Sequence, residues 1–332
     1  MNNPITQSKL WQKLQDDLGE NCIFKEGKDY HFLAIEMKTP VGNYLYCPYG
    51  PVAKNESAFK EALIEIKNLA REKGAIFIRI EPQDKDYQKL LPKNAKKSKD
   101  LNPKDTWVLD LTPEKAEIIT NFSQGTRTRF NTFSKKGLEV EKTKNPDEIK
   151  HLVKLQNQLF KAKNLHTFSE KYLRTELEQP FATLYLVKYH TPEQATDSAN
   201  KSNNQTPLSS QPAPDDGQIL AASLFFNYDG TRYYMQSAAD NTFKKLPATV
   251  ALLTTAIFDA KEQGIKLFDF WGIAPDDAPK DHPWIGFTEF KKSFGGEARH
   301  YLGTYDLPIS AAKYKLYQST RKFGKLIRKT RV

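Results

Sequence analysis

Cysteine is nearly absent from this chain of 332 residues: Cys22 and Cys47 are its two. Two thiols far apart make neither a disulfide framework nor a zinc site, and they suit a reducing compartment. No run of eighteen apolar residues occurs, so no membrane span is expected. The opening MNNPITQSKLWQKLQDD is polar and lacks an apolar stretch, so it does not read as a signal peptide. No His, Cys and carboxylate cluster has metal-ligand spacing, so no metal and no bound cofactor are expected. Heptads long enough for a helical arm are missing as well. Acid is missing from one stretch, KYKLYQSTRKFGKLIRKTR at 313–331, although the chain carries 40 acidic against 50 basic residues.

The resulting formal charge of +10 favours an anionic partner: nucleic acid, a membrane surface or a phosphorylated substrate. A lysine-rich solvated surface is the plain alternative. The tail places eight bases together: Lys313, Lys315, Arg321, Lys322, Lys325, Arg328, Lys329 and Arg331. A second cluster, KNAKKSK at 93–99, reads as a loop.

Internal similarity organises the rest. Residues 70–80 read AREKGAIFIRI, and residues 260–270 read AKEQGIKLFDF. Each copy leaves a helix through a glycine, Gly74 or Gly264, and enters an apolar strand, as a left-handed helix end requires. The first helix has one apolar face in Phe59, Ala62, Ile66, Leu69 and Ala70; the second, over 250–260, is apolar nearly all round and so predicts burial. Upstream, 32–37 with 44–47 reads as a hairpin. So does 220–228 with 233–236 around the Asp229-Gly230 turn signal. The pattern, hairpin then loop then helix then strand, predicts an α/β (α+β) fold of two tandem acetyltransferase-like domains. The first is expected over 1–138 plus 305–332, with a late strand at 107–111, a helix capped by Thr112 and opened by Pro113, and the basic tail packed back upon it. The second is expected over 139–304. Residues 190–217, rich in Ser, Asn, Gln and Pro, predict a disordered insertion between two paired strands.

The most informative stretch is 269–296, DFWGI followed by a polar loop and then FTEFKKSFGG. Asp269, Phe270, Trp271 and Gly272 close a strand, where α/β proteins bind ligands. Lys291 and Lys292 lie between Phe290 and Phe294, ahead of Gly295-Gly296. A lysine held among aromatic rings loses solvent and can stabilise charge on a carbonyl oxygen during acyl transfer. The bland reading leaves both lysines exposed and the rings in the core.

This stretch resembles the signature of the Fem peptidoglycan-bridge aminoacyltransferases. The resemblance extends to QSKLWQKL near the start, YCPYGPV at 46–52, IRIEP at 78–82, LDLTPE at 109–114, the Arg-rich segment 127–136 before Gly137, and YYMQSAAD with the proline loop and helix after it. It implies aminoacyl-tRNA as donor, a cytoplasmic muramyl-peptide precursor (nucleotide- or lipid-linked) as acceptor, and a peripheral approach to the membrane surface. It places Phe290 and Lys291 at the transfer site, with Asp269, Trp271 and Gly272 beside them, and the basic tail on tRNA.

Three departures from the family stand out. Near Trp11, Gln15 with Lys13 close by replaces a substrate-binding lysine. Ahead of Tyr172, an arginine is replaced by His166, Thr167 and Ser169. After Pro247, Ala248 and Thr249 replace a tyrosine. Two other functions remain open: an acyl-CoA-dependent N-acyltransferase, and a nucleic-acid-binding protein without chemistry. The first is disfavoured because the loops CPYGPVAKN and DNTFKKLPA are poor in glycine and hold prolines, which remove backbone donors from a pyrophosphate cradle.

Overall fold

The computed structural model describes residues 3–163, 168–191 and 213–329; at 160–163 and 322–329 it describes the backbone. In chain order the strands are β1 (Cys22–Glu26), β2 (Tyr30–Met37), β3 (Tyr44–Cys47), β4 (Val52–Ala53), β5 (Phe77–Ile80), β6 (Lys96–Lys97), β7 (Asp105–Asp110), β8 (Leu138–Thr143), β9 (Ala182–Tyr189), β10 (Ile219–Tyr228), β11 (Thr231–Ala239), β12 (Leu267–Gly272), β13 (Glu297–His300) and β14 (Tyr305–Pro308). The helices are α1 (Lys9–Asp17), α2 (Glu56–Glu72), α3 (Lys115–Asn121), α4 (Gln124–Thr132), α5 (Ile149–Lys163), α6 (Glu170–Leu177), α7 (Ala248–Glu262), α8 (Ile285–Lys292) and α9 (Ala311–Lys329).

One sheet runs β1-β2-β3-β5-β14-β6, with β4 on β2; the other runs β13-β7-β12-β11-β10-β9-β8. The predicted repeat is present in both. The hairpin β2–β3 leads through α2 to β5, which returns parallel to β3 with Leu45 opposite Ile78. The hairpin β10–β11 leads through α7 to β12, which returns parallel to β11 with Arg232 opposite Phe268. Gly74 (φ 62°) and Gly264 (φ 74°) stand at equivalent helix ends. In each, the residue after the glycine donates to the carbonyl five positions back: Ala75 N–H to the Ala70 carbonyl at 2.8 Å, Ile265 N–H to the Ala260 carbonyl at 3.0 Å. The tandem acetyltransferase-like architecture is therefore the fold.

Each unit has its own core. In the first, Phe59, Leu63, Ile66 and Ala70 of α2 pack on Phe32, Leu45, Ile78 and Ile80 of the sheet. Full burial of a side chain the size of Phe or Ile stabilises by about 1.5–3 kcal/mol. The opposite face is closed by the start of α9, whose Tyr314 and Tyr317 join Tyr44, Ile76 and Phe77. In the second unit α7 is buried from Ala248 to Ala260 on nearly every side.

The chain divides into Met1–Trp107, Trp271–Thr288 and Ala298–Val332 as one unit, and Val108–Phe270 with Glu289–Glu297 as the other. The expected division at 138/139 and 304/305 is different, because α3 and α4 face the second unit: Phe122 and Phe130 lie 6.2 and 5.5 Å from Phe258 of α7. Two local expectations are also corrected. Thr112 bonds back to Asp110 and does not cap; the helix starts after Glu114. Lys96 and Lys97, read as loop, form β6 against β14, with the Lys97 ammonium on the Leu302 carbonyl at 2.8 Å. Most of the proposed insertion, 192–212, lies outside the described residues; β9 and β10, which flank it, pair antiparallel.

Candidate active site

Within the second unit the strand β12 delivers Asp269, which is buried, and the short helix α8 ends on Phe290 and Lys291. Lys291 is half-buried. Burial pulls its ammonium down to about 8, and the carboxylate of Asp269 pulls it part of the way back. Its neighbour Lys292 is exposed and lies 3.5 Å from Glu289 one turn earlier. The two lysines thus have opposite environments, and the bland reading with both in solvent fails for Lys291. Phe290 meets Phe294 edge-on at 5.3 Å, and Phe294 is fully buried against Phe270 and Phe122.

The segment after Lys291 is fixed by backbone contacts that only glycine permits. Gly295 (φ 74°) and Gly296 (φ 94°) are left-handed. A Cβ on Gly296 would run into the Val108 carbonyl, and one on Gly295 into Asn121. Ser293 accepts from Ser123 N–H at its carbonyl (2.8 Å) and from the Thr126 hydroxyl at its Oγ (2.8 Å), and donates to the Phe290 carbonyl at 2.6 Å. Helix α8 is therefore tied at its end to the start of α4.

Trp271 and Gly272 belong to the first unit. Trp271 holds φ 65°, an uncommon conformation for a bulky residue and a sign of a functional constraint. Tyr49, also left-handed at φ 51°, stands edge-on to Trp271 at 5.5 Å and to Tyr301 at 5.4 Å, and its hydroxyl donates to the Pro103 carbonyl at 2.7 Å. A Cβ on Gly272 would strike Pro103. Two motifs hold this cluster. Gln7 of the opening segment donates to the Pro48 carbonyl at 2.7 Å and brackets Leu33, so QSKLW and YCPYGPV lock together. Glu81 of IRIEP, buried, accepts from Tyr46 (2.8 Å), Asn102 (2.8 Å) and Thr304 (2.7 Å).

The other expected site residues are more dispersed. Lys13 is exposed and pairs with Asp17 at 2.7 Å, while Gln15 is buried. In the second unit, Thr249 sits half-buried in the first turn of α7. Tyr172 stacks on Phe168 at 4.9 Å, and burial pushes its hydroxyl up. His166 lies outside the described residues. Lys313 and Lys315 are exposed on α9, and Arg321 reaches over Tyr317 at 5.7 Å. The side chains of Lys322, Lys325, Arg328 and Lys329, and all of Arg331, lie outside the described residues.

One buried group escaped the sequence reading. Glu176 is 1% exposed and neither carboxyl oxygen completes a hydrogen bond among the described residues. Burial pushes it up to about 8, while the side chains of Tyr172 and Gln236 favour its ionised form. Its signal was available: Leu173, Glu176 and Leu177 fall on one helical face, which puts a carboxylate on the apolar stripe.

Residues 175–322 match the model of the FemAB family. Aminoacyltransferase FemA of Staphylococcus epidermidis is 26% identical over 133 residues, 40% of this chain and 31% of that protein. Lipid II:glycine glycyltransferase of Staphylococcus aureus (strain USA300) is 26% identical over 106 residues, 32% of this chain and 25% of that protein. The chain thus aligns with about a third or less of the length of these curated relatives. The crystal structure of FemX superposes with a TM-score of 0.76 at 19% identity, covering 95% of this chain and 94% of that one, so the whole fold is shared. Among the described residues no helix is long and apolar enough to cross a membrane. The stretch that matches the FemAB family model carries Lys291, and the fold is shared with FemX from end to end.

Proposed function

We propose that this protein is an aminoacyltransferase that moves an amino acid from aminoacyl-tRNA to the stem-peptide amine of a peptidoglycan precursor. The observation that carries the reading is the contrast between Lys291 and Lys292. One is withdrawn from water and drawn towards neutrality, and the other is solvated and paired. In the proposed reaction the acceptor amine attacks the ester carbonyl of the aminoacyl-tRNA. The C–N bond forms and the negative charge passes to the carbonyl oxygen, where the Lys291 ammonium stabilises it. Collapse breaks the ester C–O bond. The amine nitrogen gives up its proton, and the leaving ribose oxygen takes one.

Asp269 keeps Lys291 charged near neutral pH, and Phe290 keeps water from it. Trp271, Gly272, Tyr172, Thr249, Lys13 and Gln15 are assigned to substrate binding, and the basic residues of α9 to tRNA phosphates. The enzyme acts on the cytoplasmic face with peripheral contact to the membrane surface. The name of one relative, a lipid II:glycine glycyltransferase, supports a lipid-linked precursor.

An acyl-CoA donor is disfavoured on the first unit's geometry. The N-terminus of α2 is already occupied by the Asn55 side chain, which accepts from Ala58 N–H at 2.9 Å. The test is transfer in vitro with total charged tRNA and defined muramyl-peptide precursors, nucleotide- and lipid-linked. Label from charged tRNA is expected on the stem peptide. Transfer from acyl-CoA, with none from charged tRNA, would overturn the reading.

A further inference from the structure

The Arg-rich segment is absorbed by no role so far. Over 122–137 the chain carries Arg127, Arg129, Lys135 and Lys136 and no acid. Helix α4, which holds its first half, is not a core helix: Thr126 is its one buried residue. Its polar side chains Thr128 and Thr132 are satisfied by the helix's own carbonyls at 3.0 and 2.8 Å. Phe130 seats the helix 5.5 Å from Phe258 of α7, and that packing leaves the bases on its exposed side unexplained.

Its position explains them. Ser123 caps α4 by accepting from Thr126 N–H at 3.2 Å. The same turn grips Ser293 through Ser123 N–H and the Thr126 hydroxyl, both at 2.8 Å. The start of α4 is therefore bonded to Ser293, two residues after Lys291 in the chain. The nine residues of the helix span about 13 Å at 1.5 Å per residue. Arg127 is committed to structure: its guanidinium donates to the Thr120 carbonyl at 2.8 Å and also to the Phe122 carbonyl, closing the end of α3. Arg129, Lys135 and Lys136 are exposed and form no ion pair among the described residues. Some other bases of this unit are matched, as Lys142 is by Asp259 and Lys188 by Glu141 at 2.7 Å. Phe130, between the arginines and lysines, lines with Phe258, Lys115 and Lys142 a groove of about 350 Å³ that Asp259 and Glu262 also line. The Lys115 ammonium stands 4.6 Å above the Phe258 ring. Aromatic faces interleaved with bases suit single-stranded nucleic acid, whose bases stack while its phosphates are neutralised.

We infer that Arg129, Lys135 and Lys136 form the surface on which the phosphate backbone of the donor RNA lies as its 3′ end enters the Lys291 site. The inference rests on the reading of the donor given above. An anionic strand has to reach Lys291 for the ester to react there, and this strip follows the turn that holds Ser293, two residues after Lys291.

The test uses the full chain and the triple variant Arg129→Gln/Lys135→Gln/Lys136→Gln, which changes exposed residues only. Binding of deacylated tRNA is measured across a salt series, together with transfer kinetics and binding to vesicles of anionic lipid. The variant is expected to bind tRNA at least tenfold more weakly near 0.1 M salt. Its log–log salt slope should flatten by about two, since each lost phosphate contact removes roughly 0.7–0.9. KM for aminoacyl-tRNA should rise while kcat and KM for the precursor hold. Wild-type protein that binds tRNA and transfers, beside a variant with unchanged affinity and slope, would overturn the strip alone. A variant that loses vesicle binding and keeps tRNA binding would assign the strip to a membrane and overturn it too. Wild-type protein that binds no tRNA would overturn the strip and the donor reading together.

Discussion

The two halves of this protein repeat one design and use it differently. In the first, α2 has an exposed face, and its N-terminus is capped by the chain's own Asn55. In the second, α7 is buried nearly all round and follows Pro247 with no side-chain cap. The first half puts its charge into closed networks: Arg79 with Asp306 at 2.7 Å, and Glu81 with Tyr46, Asn102 and Thr304. The second half has a closed network of its own, Arg232 with Asp259 at 2.8 Å, and in addition a lysine drawn down to about 8 and a carboxyl pushed up to about 8.

The largest effect expected from breaking the scaffold is at Arg79. Its guanidinium is 3% exposed and its partner Asp306 2%. Removing one member of such a pair costs about 3–5 kcal/mol, because the other charge stays buried. Arg79→Met should lower the unfolding free energy, measured by denaturant titration, by that amount. A loss under about 1 kcal/mol would mean that the network is not what secures the first unit.

Glu176 should respond in the opposite direction. Its folded pKa is raised, so its contribution to stability is complete below the unfolded value near 4.5 and is lost as pH rises through about 8. Glu176→Gln should therefore be more stable than wild type at pH 8.5, with a flatter decline between pH 5 and 8.5. Parallel melting curves for the two proteins would remove Glu176 from the set of perturbed groups.

The repeat itself makes a matched prediction. Gly74 and Gly264 hold positive φ, and an added Cβ would find nothing within 4 Å at either. Alanine at each should cost about 1–2 kcal/mol from backbone strain alone. Equal losses in thermal or denaturant unfolding support equivalence of the two helix ends; a loss at one glycine only would break it.

The smallest effect is expected at the tail. Tyr314 and Tyr317 fix α9 through burial, while Lys313 and Lys315 are solvated. Lys313→Gln/Lys315→Gln should leave stability within about 0.5 kcal/mol of wild type. It should also flatten the salt dependence of tRNA binding less than the α4 variant does.

Much of this was legible in the residues. The Gly-ended helices, the Asp229-Gly230 hairpin and the apolar stripes are local signals, and each formed as read. What the sequence could not display were pairings set at long range. Strand β7 reads equally well in either half, and its place between β12 and β13 depends on contacts more than 150 residues away. The fragments QSKLW and YCPYGPV look like separate motifs until Gln7 is seen on the Pro48 carbonyl. Lys291 and Lys292 are chemically identical in sequence; the end of α8 turns one inward and leaves the other beside Glu289.

That last difference is the most direct measurement available. Lys291→Met and Lys292→Met remove the same charge from adjacent positions, and both are assayed for transfer from charged tRNA across pH 6.5–9.5. Lys291→Met should slow transfer about a hundredfold or more, the usual cost of losing an oxyanion donor, with the KM values little changed. Lys292→Met should transfer near the wild-type rate. The wild-type rate should fall as pH rises through about 8, where Lys291 loses its proton, and Lys291→Met should lack that fall. Equal activity in both variants, or equal loss in both, would contradict the role given to Lys291.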